Sequence, residues 1–350
     1  MRKLIFISIL LVISSELFAQ INESKKIANQ NPSNNDNTST PLLSLDLIKH
    51  WVYYMSSDSM KGRANGSPEN KIVAKWLSSN YSNFGLLPFE KNDTYFQHYF
   101  QQRKNKDSIP EVNIIGYIPG NDPILRNEYI IISAHFDHIG IGKPVNGDSI
   151  YNGANDNASG VSAVLGIAKT LQMMKAKPSR SIVFISFSGE EIGMLGSKYF
   201  CKHPNFPITS TYLNINFELL GHCTLLGPNR YYITGKSYTN LSKLLNKYNK
   251  NQKWQFLDSV KTSDFLFTHG DNRSFATIKK IKDSFYGVPA QTFVIHNGEN
   301  HVHRSIDEAK YFNFENLQGF IQYMSELTIY LSNEKKPIEL TTRKFKKIKS

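Results

Sequence analysis

Four short apolar runs, at 129–133, 181–187, 212–217 and 290–296, limit what this chain can fold into more than any other feature. A run such as Ile130-Ile131-Ile132 has no polar face, so a strand built from it must be covered on both sides. Amphipathic stretches at 161–174, 192–200, 236–248 and 314–331 have helical spacing and provide that cover. A further strand is expected over 112–118, closed by Pro119-Gly120, with helices over 42–55 and 70–84 ahead of it. Strands alternating with helices predict an α/β fold of three layers, α/β/α, around a twisted, mostly parallel central sheet. No internal repeat and no second domain boundary interrupts the pattern after residue 42.

The two ends of the chain read differently. Arg2 and Lys3, an apolar run over 4–13 and Leu17-Phe18-Ala19 before Gln20 have the order of an export signal over 1–19. The run is shorter than the ~20 residues of a membrane span, and no Cys follows the cleavage point to carry a lipid. Residues 20–41, rich in Asn, Ser, Thr and Gln, are expected as a flexible linker, 42–333 as the folded domain and 334–350 as a basic tail. The protein is therefore expected to be exported, to the periplasm or the medium, without stable membrane insertion. Much of the net charge of +12 sits in the tail, where Lys335, Lys336, Arg343, Lys344, Lys346, Lys347 and Lys349 face Glu339 alone. Such a run is a solvated tail or a contact for an anionic envelope, and no nucleic-acid-binding signature accompanies it. Cys201 and Cys223 permit one disulfide or two thiols.

In sheets of this kind ligands bind beyond the carboxyl ends of the strands, and that is where the polar residues collect. His135 and Asp137, in Ser133-Ala134-His135-Phe136-Asp137-His138, point the same way on an extended chain, as a ligating imidazole and the acid that orients it would. Asp156, in Asn152-Gly153-Ala154-Asn155-Asp156-Asn157-Ala158-Ser159-Gly160, is either part of a helix cap or a carboxylate shared by two cations. Glu190 and Glu191 follow Ser188-Gly189, where they complement a helix dipole or divide the roles of general base and metal ligand. Glu218 ends an apolar strand and needs a partner if buried, a cation being the simplest. In His301-Val302-His303-Arg304-Ser305-Ile306-Asp307 either histidine can ligate. Each signal is weak alone; together they supply the residue types that zinc uses.

With these motifs in this order, the chain resembles the family of secreted bacterial zinc aminopeptidases, to which glutamate carboxypeptidase and glutaminyl cyclase are related. The likeness runs from about residue 45 to 332 and includes the opening segment Met55-Ser56-Ser57-Asp58-Ser59-Met60-Lys61-Gly62-Arg63 and the strand Asn113-Ile114-Ile115-Gly116. The resemblance implies the zinc-exopeptidase, phosphorylase/hydrolase-like fold, two zinc ions and a peptide substrate. It assigns His135, Asp156 and Glu218 to one zinc and Asp156, Glu191 and His303 to the other. His303 rather than His301 is implied because Asp307 follows it at the family's spacing; Glu190 is implied as general base and Asp137 as the acid tuning His135. The remaining histidines, His138, His222, His269, His296 and His301, are left as ordinary or supporting residues. Two departures stand out: Glu218 replaces the usual Asp, and Gly270-Asp271-Asn272-Arg273-Ser274-Phe275 replaces a Ser-Asp-His segment.

The implied reaction is peptide hydrolysis by a metal-activated water, with Glu190 carrying the proton to the leaving amine. Three other readings compete. They are a single-zinc glutaminyl cyclase, a carboxypeptidase or dipeptidase on the same fold, and a binding domain without catalysis.

Overall fold

The apolar runs form the centre of one sheet. The computed structural model describes residues 40–89, 94–102, 108–223, 225–260, 263–278, 287–296 and 301–341. Its helices are α1 (Leu45–Met55), α2 (Pro68–Asn83), α3 (Ser159–Met173), α4 (Leu195–Lys202), α5 (Leu241–Asn249), α6 (Ser263–Leu266), α7 (Asn272–Ala276) and α8 (Phe314–Asn333). Its strands are β1 (Phe96–Gln102), β2 (Ser108–Ile118), β3 (Tyr129–His135), β4 (Gly140–Val145), β5 (Asp148–Tyr151), β6 (Ser181–Phe187), β7 (Thr211–Phe217), β8 (Arg230–Ile233), β9 (Gln255–Phe256) and β10 (Ala290–Val294).

The main sheet has the order β1-β2-β6-β3-β7-β10-β8-β9. Its middle strands β6, β3, β7 and β10 are mutually parallel, as the helical crossovers between them require. The flanks are mixed: β1–β2, β2–β6 and β10–β8 are antiparallel, and β8–β9 is parallel. Pleating sends alternate isoleucines of β3 to opposite sides. Ile130 and Ile132 join the core under α1, α2, α3 and α8, whereas Ile131 packs with Phe200 of α4 and Phe275 of α7. Both faces are covered, and truncating any of these side chains to Ala would cost ~2–5 kcal/mol.

Local chemistry explains the boundaries. The Ser44 side chain accepts from Leu47 N–H to start α1, Ser67 caps α2 ahead of Pro68, and Asn313 caps α8. Helix α4 starts at Leu195 rather than 192 because Gly193 and Met194 have positive φ, 107° and 58°. Likewise α5 starts only at Leu241, after a turn through Gly235 at φ 63°. The sequence pattern did not reveal β1 and β9 at the sheet's edges, β8 next to β9, or the β4–β5 hairpin outside the sheet.

The packed chain also continues past 333. Ile338 is buried, Thr341 N–H donates to Tyr238 O at 2.6 Å, and Asn240 N–H donates to Glu339 O at 3.1 Å. The expected signal, the linker up to 39 and the tail from 342 lie outside the described residues. Among the described residues no helix is long and apolar enough to cross a membrane. Cys201 and Cys223 are not joined by a disulfide.

Candidate metal centre

Four of the expected residues stand at the ends of three neighbouring strands. His135 ends β3, Glu190 and Glu191 lie on the turn after β6, and Glu218 is the first residue past β7. Because β6, β3 and β7 are adjacent and parallel, these ends stand side by side. Asp156 and His303 arrive on loops: Asp156 on a turn that enters through Gly153 (φ 59°), and His303 in a left-handed conformation (φ 56°). The Asp156–Asn157 peptide bond is cis.

The residues around Asp156 fasten its turn. Asn157 Nδ2 donates to Phe217 O at 2.8 Å, and Gly221 N–H donates to Asn155 Oδ1 at 2.8 Å. Ser159 Oγ accepts from Leu220 N–H at 3.0 Å and donates to Asn155 O at 2.7 Å. The helix-cap reading also holds in part, since Asn157 Oδ1 accepts from Gly160 N–H at 3.1 Å. Asp307, noted in the sequence only for its spacing, accepts from Asn155 N–H at 2.7 Å and Asp156 N–H at 2.9 Å.

Asp156 is the hub. His135 Nε2 lies 3.3 Å from its Oδ1 and His303 Nε2 lies 3.3 Å from its Oδ2. Two atoms bound to one tetrahedral zinc at roughly 2.0 Å stand about 3.3 Å apart. His303 Nε2 is also 2.8 Å from Glu191 Oε2, and His138 Nδ1 is 2.8 Å from Glu191 Oε1. Among the described residues, two groups offer donor atoms all within 4.8 Å of one another: His135 with Glu190 and Glu191, and His138 with Asp156 and Glu191. Glu218 belongs to neither group. Its Oε1 accepts from Asn216 Nδ2 at 2.8 Å, and Gly270 packs so close that a Cβ there would lie 2.5 Å from Oε1.

Asp137 holds a different bond from the expected one. The hydrogen-bond partner of His135 Nδ1 is Asp137's own carbonyl oxygen at 3.1 Å, with the carboxylate at 3.8 Å. That carboxylate accepts instead from Glu190 N–H at 3.1 Å and Glu191 N–H at 3.4 Å, so it fixes the turn carrying both acids.

Arg63 was legible only as part of the opening segment. It is fully buried, and its Nε donates to Phe136 O at 2.8 Å. Its Nη groups donate to Met55 O (3.1 Å), Asn152 O (2.5 Å), Gly153 O (2.6 Å) and Asp156 O (3.4 Å). One guanidinium thus ties α1, the chain after β3 and the Asp156 turn together. Burial lowers its pKa to about 10 against the pull of Asp307, Asp156, Asp137 and Glu191.

The electrostatics are those of a site short of positive charge. Burial, reinforced by neighbouring acids, pushes Glu190 up to about 10, Glu218 to about 8 and Asp137 to about 7. Burial likewise raises Asp271 to about 6; its carboxylate oxygens are buried without a hydrogen-bond partner. Burial also acts to raise Asp156, but the bonds from His135 and His303 bring it well below the usual carboxylate range. Bonds to Asp156 and Glu191 in turn hold His303 up at about 10. Buried acids around imidazole nitrogens form a donor set that suits a divalent cation of zinc's kind.

The profile of peptidase family M28 matches residues 113–328. The Vacuolar membrane protease of Lodderomyces elongisporus is 25% identical over 219 residues, 61% of this chain and 20% of that protein. Aminopeptidase YwaD of Bacillus subtilis is 33% identical over 111 residues, 31% of this chain and 22% of YwaD. The aligned part is thus about a fifth of the length of each of these curated relatives. Among solved structures, BSAP, a zinc aminopeptidase from Bacillus subtilis, superposes with a TM-score of 0.61 at 14% identity, over 85% of this chain and 97% of that one. The LapA aminopeptidase of Legionella pneumophila gives 0.60 at 19% identity, over 84% and 72%. Such likenesses show the shared fold. The profile match, across more than half of the chain, identifies it: this protein belongs to peptidase family M28.

Proposed function

We propose that this protein is an exported two-zinc exopeptidase that acts as an aminopeptidase on peptides. The observation that carries the reading is Asp156 standing between His135 and His303, each imidazole 3.3 Å from a different carboxylate oxygen. His135, Asp156 and Glu218 would hold one ion, and Asp156, Glu191 and His303 the other. When bound, such ions polarise a carbonyl and lower the pKa of a water. Glu190 would take the proton of that water and deliver it to the leaving amine. Asp137, bonded to the Glu190 and Glu191 amides, keeps the base and its neighbour at a fixed separation. The names of the relatives, among them YwaD and BSAP, agree with aminopeptidase activity. The signal-like sequence over 1–19 supports action in the periplasm or the medium.

One observation favours a second reading. Asp156 and Glu191 both contact His303, at 3.3 and 2.8 Å, while Glu218 is bonded to Asn216 instead, which suits a single ion at Asp156, Glu191 and His303, as in a glutaminyl cyclase-like acyltransferase. Metal analysis of the purified protein, with assays on aminoacyl-anilides and on peptides beginning with Gln, separates the two. Two zincs and chelator-sensitive release of N-terminal residues are expected. One zinc with pyroglutamate formation would overturn the main reading, and cleavage only from the carboxyl end would make the enzyme a carboxypeptidase.

A further inference from the structure

His138 follows His135 by three residues, and nothing in the sequence gave it a task. Its side chain is fully buried, and Nδ1 stands 2.8 Å from Glu191 Oε1, while His303 Nε2 stands 2.8 Å from Oε2 of the same carboxylate. Its donor atom lies within 4.8 Å of those of Asp156 and Glu191, so two roles are open: metal ligand, or holder of Glu191.

The geometry separates these roles. His135 and His303 each reach the hub carboxylate of Asp156 at 3.3 Å, the spacing of two ligand atoms on one zinc. His138 meets Glu191 at the length of a charge-assisted hydrogen bond, as His303 also does, so the contact with Asp156 is what sets His303 apart. Gly153 packs closely against the ring, where a Cβ would lie 2.5 Å from Cγ and Cδ2, and the main chain at 138 bridges Ala64, so the surroundings hold the ring as it stands. Nε2 is buried without a hydrogen-bond partner. An orphaned buried N–H is rarer than an unfilled acceptor, which places the proton on Nδ1, facing Glu191.

We propose that His138 is a positioning residue for the metal site, donating Nδ1–H to Glu191 Oε1 and leaving Oε2, beside His303, as the oxygen that meets the ion. Glu191 would then offer one oxygen to an ion from a carboxylate held in a fixed orientation. Partners of this kind typically contribute 10–100-fold in metal affinity. The inference rests on the metal-site reading above.

Zinc affinity, measured by competition with a chromophoric chelator, tests it without reference to turnover. His138→Ala should weaken the Glu191-side zinc by about 10–100-fold. His138→Asn, whose amide puts a donor near the position of Nδ1, should restore most of the affinity. His138→Gln, whose donor lies further out, should not. If His138→Ala does not fold, the Asn and Gln variants carry the comparison alone. Equal loss in Asn and Gln, which would make His138 itself a ligand, overturns the proposal, as does an unaltered affinity in Ala. Glu191→Ala and His303→Ala are the controls: if both bind zinc as tightly as wild type, the metal-site reading has failed and takes this inference with it.

Discussion

Asp307 holds Asp156 through the main chain: its two carboxylate oxygens accept the N–H groups of Asn155 and of Asp156 itself, at 2.7 and 2.9 Å. The Asp156 turn is thus fixed in place from behind by a second acid. Asp307→Asn replaces one acceptor oxygen with a donor that faces an N–H, leaving a buried amide unsatisfied at about 1–3 kcal/mol. Thermal unfolding should show that loss, and zinc titration should show weaker binding, although Asp307 is not among the proposed ligands. Unchanged zinc affinity would mean that the Asp156 turn holds its shape without Asp307.

Arg63 should be more sensitive than a surface arginine. Lysine keeps the charge but cannot reach Phe136, Asn152 and Gly153 together, so Arg63→Lys strands buried carbonyls at roughly 1–3 kcal/mol each. A total loss of about 3 kcal/mol or more is expected in denaturant unfolding, with unchanged m-value. A loss below about 0.5 kcal/mol, typical of surface changes, would contradict this account of the guanidinium.

Glu190→Gln should keep both zincs by elemental analysis and lose turnover by about 10²–10⁴-fold. Activity surviving at the wild-type level would move the base elsewhere.

Glu218→Ala should remove one zinc and leave the one at Asp156, Glu191 and His303. Elemental analysis that still found two would exclude Glu218 from the ligands and leave its bond to Asn216 as its role.

The metal-free protein should lose stability as pH rises. Burial raises Glu218 to about 8 and Asp137 to about 7 in the folded chain, against ordinary values of 4.5 and 3.8. The folded chain therefore holds more protons than the unfolded one between those values, and stability falls with rising pH across that window. His135, raised well above 6.5, acts with the same sign; its contribution is present below 6.5 and fades as pH climbs. Asp156, held low, acts oppositely, its contribution disappearing only on strong acidification. Zinc displaces these protons, so its stabilisation should grow from about pH 5 to 8. Melting curves with and without chelator check both trends; a chelated protein whose melting temperature rises over that range would contradict the argument.

Much of this fold was legible because burial on both faces writes itself locally. The run Ile130-Ile131-Ile132 admits little but a covered strand, and its neighbours at 181–187 and 212–217 repeat the pattern. Edge elements escaped because one side of each meets water: β1 mixes Gln and His with aromatics without a regular period, and β9 is two residues long. The β4–β5 hairpin did leave a signal in Asn146-Gly147, both at positive φ (53° and 87°), the pair that a two-residue hairpin turn favours.

The sequence by itself determined the residue types of the centre and the strand ends that carry four of its members, because apolar periodicity and short motifs are properties of neighbouring residues. Only the tertiary structure decided which groups meet. The parallel register that sets His135 opposite Phe187 brings the turn after β6 beside the end of β3, and with it Glu191 to His138 and Asp137 to the Glu190 amide. Arg63 reaches Asn152 and Gly153 across about ninety residues of chain, and Asp307 reaches Asp156 across 151. Contacts of that span leave no periodic trace, since what fixes them is the packing of whole layers rather than the pattern of any one segment.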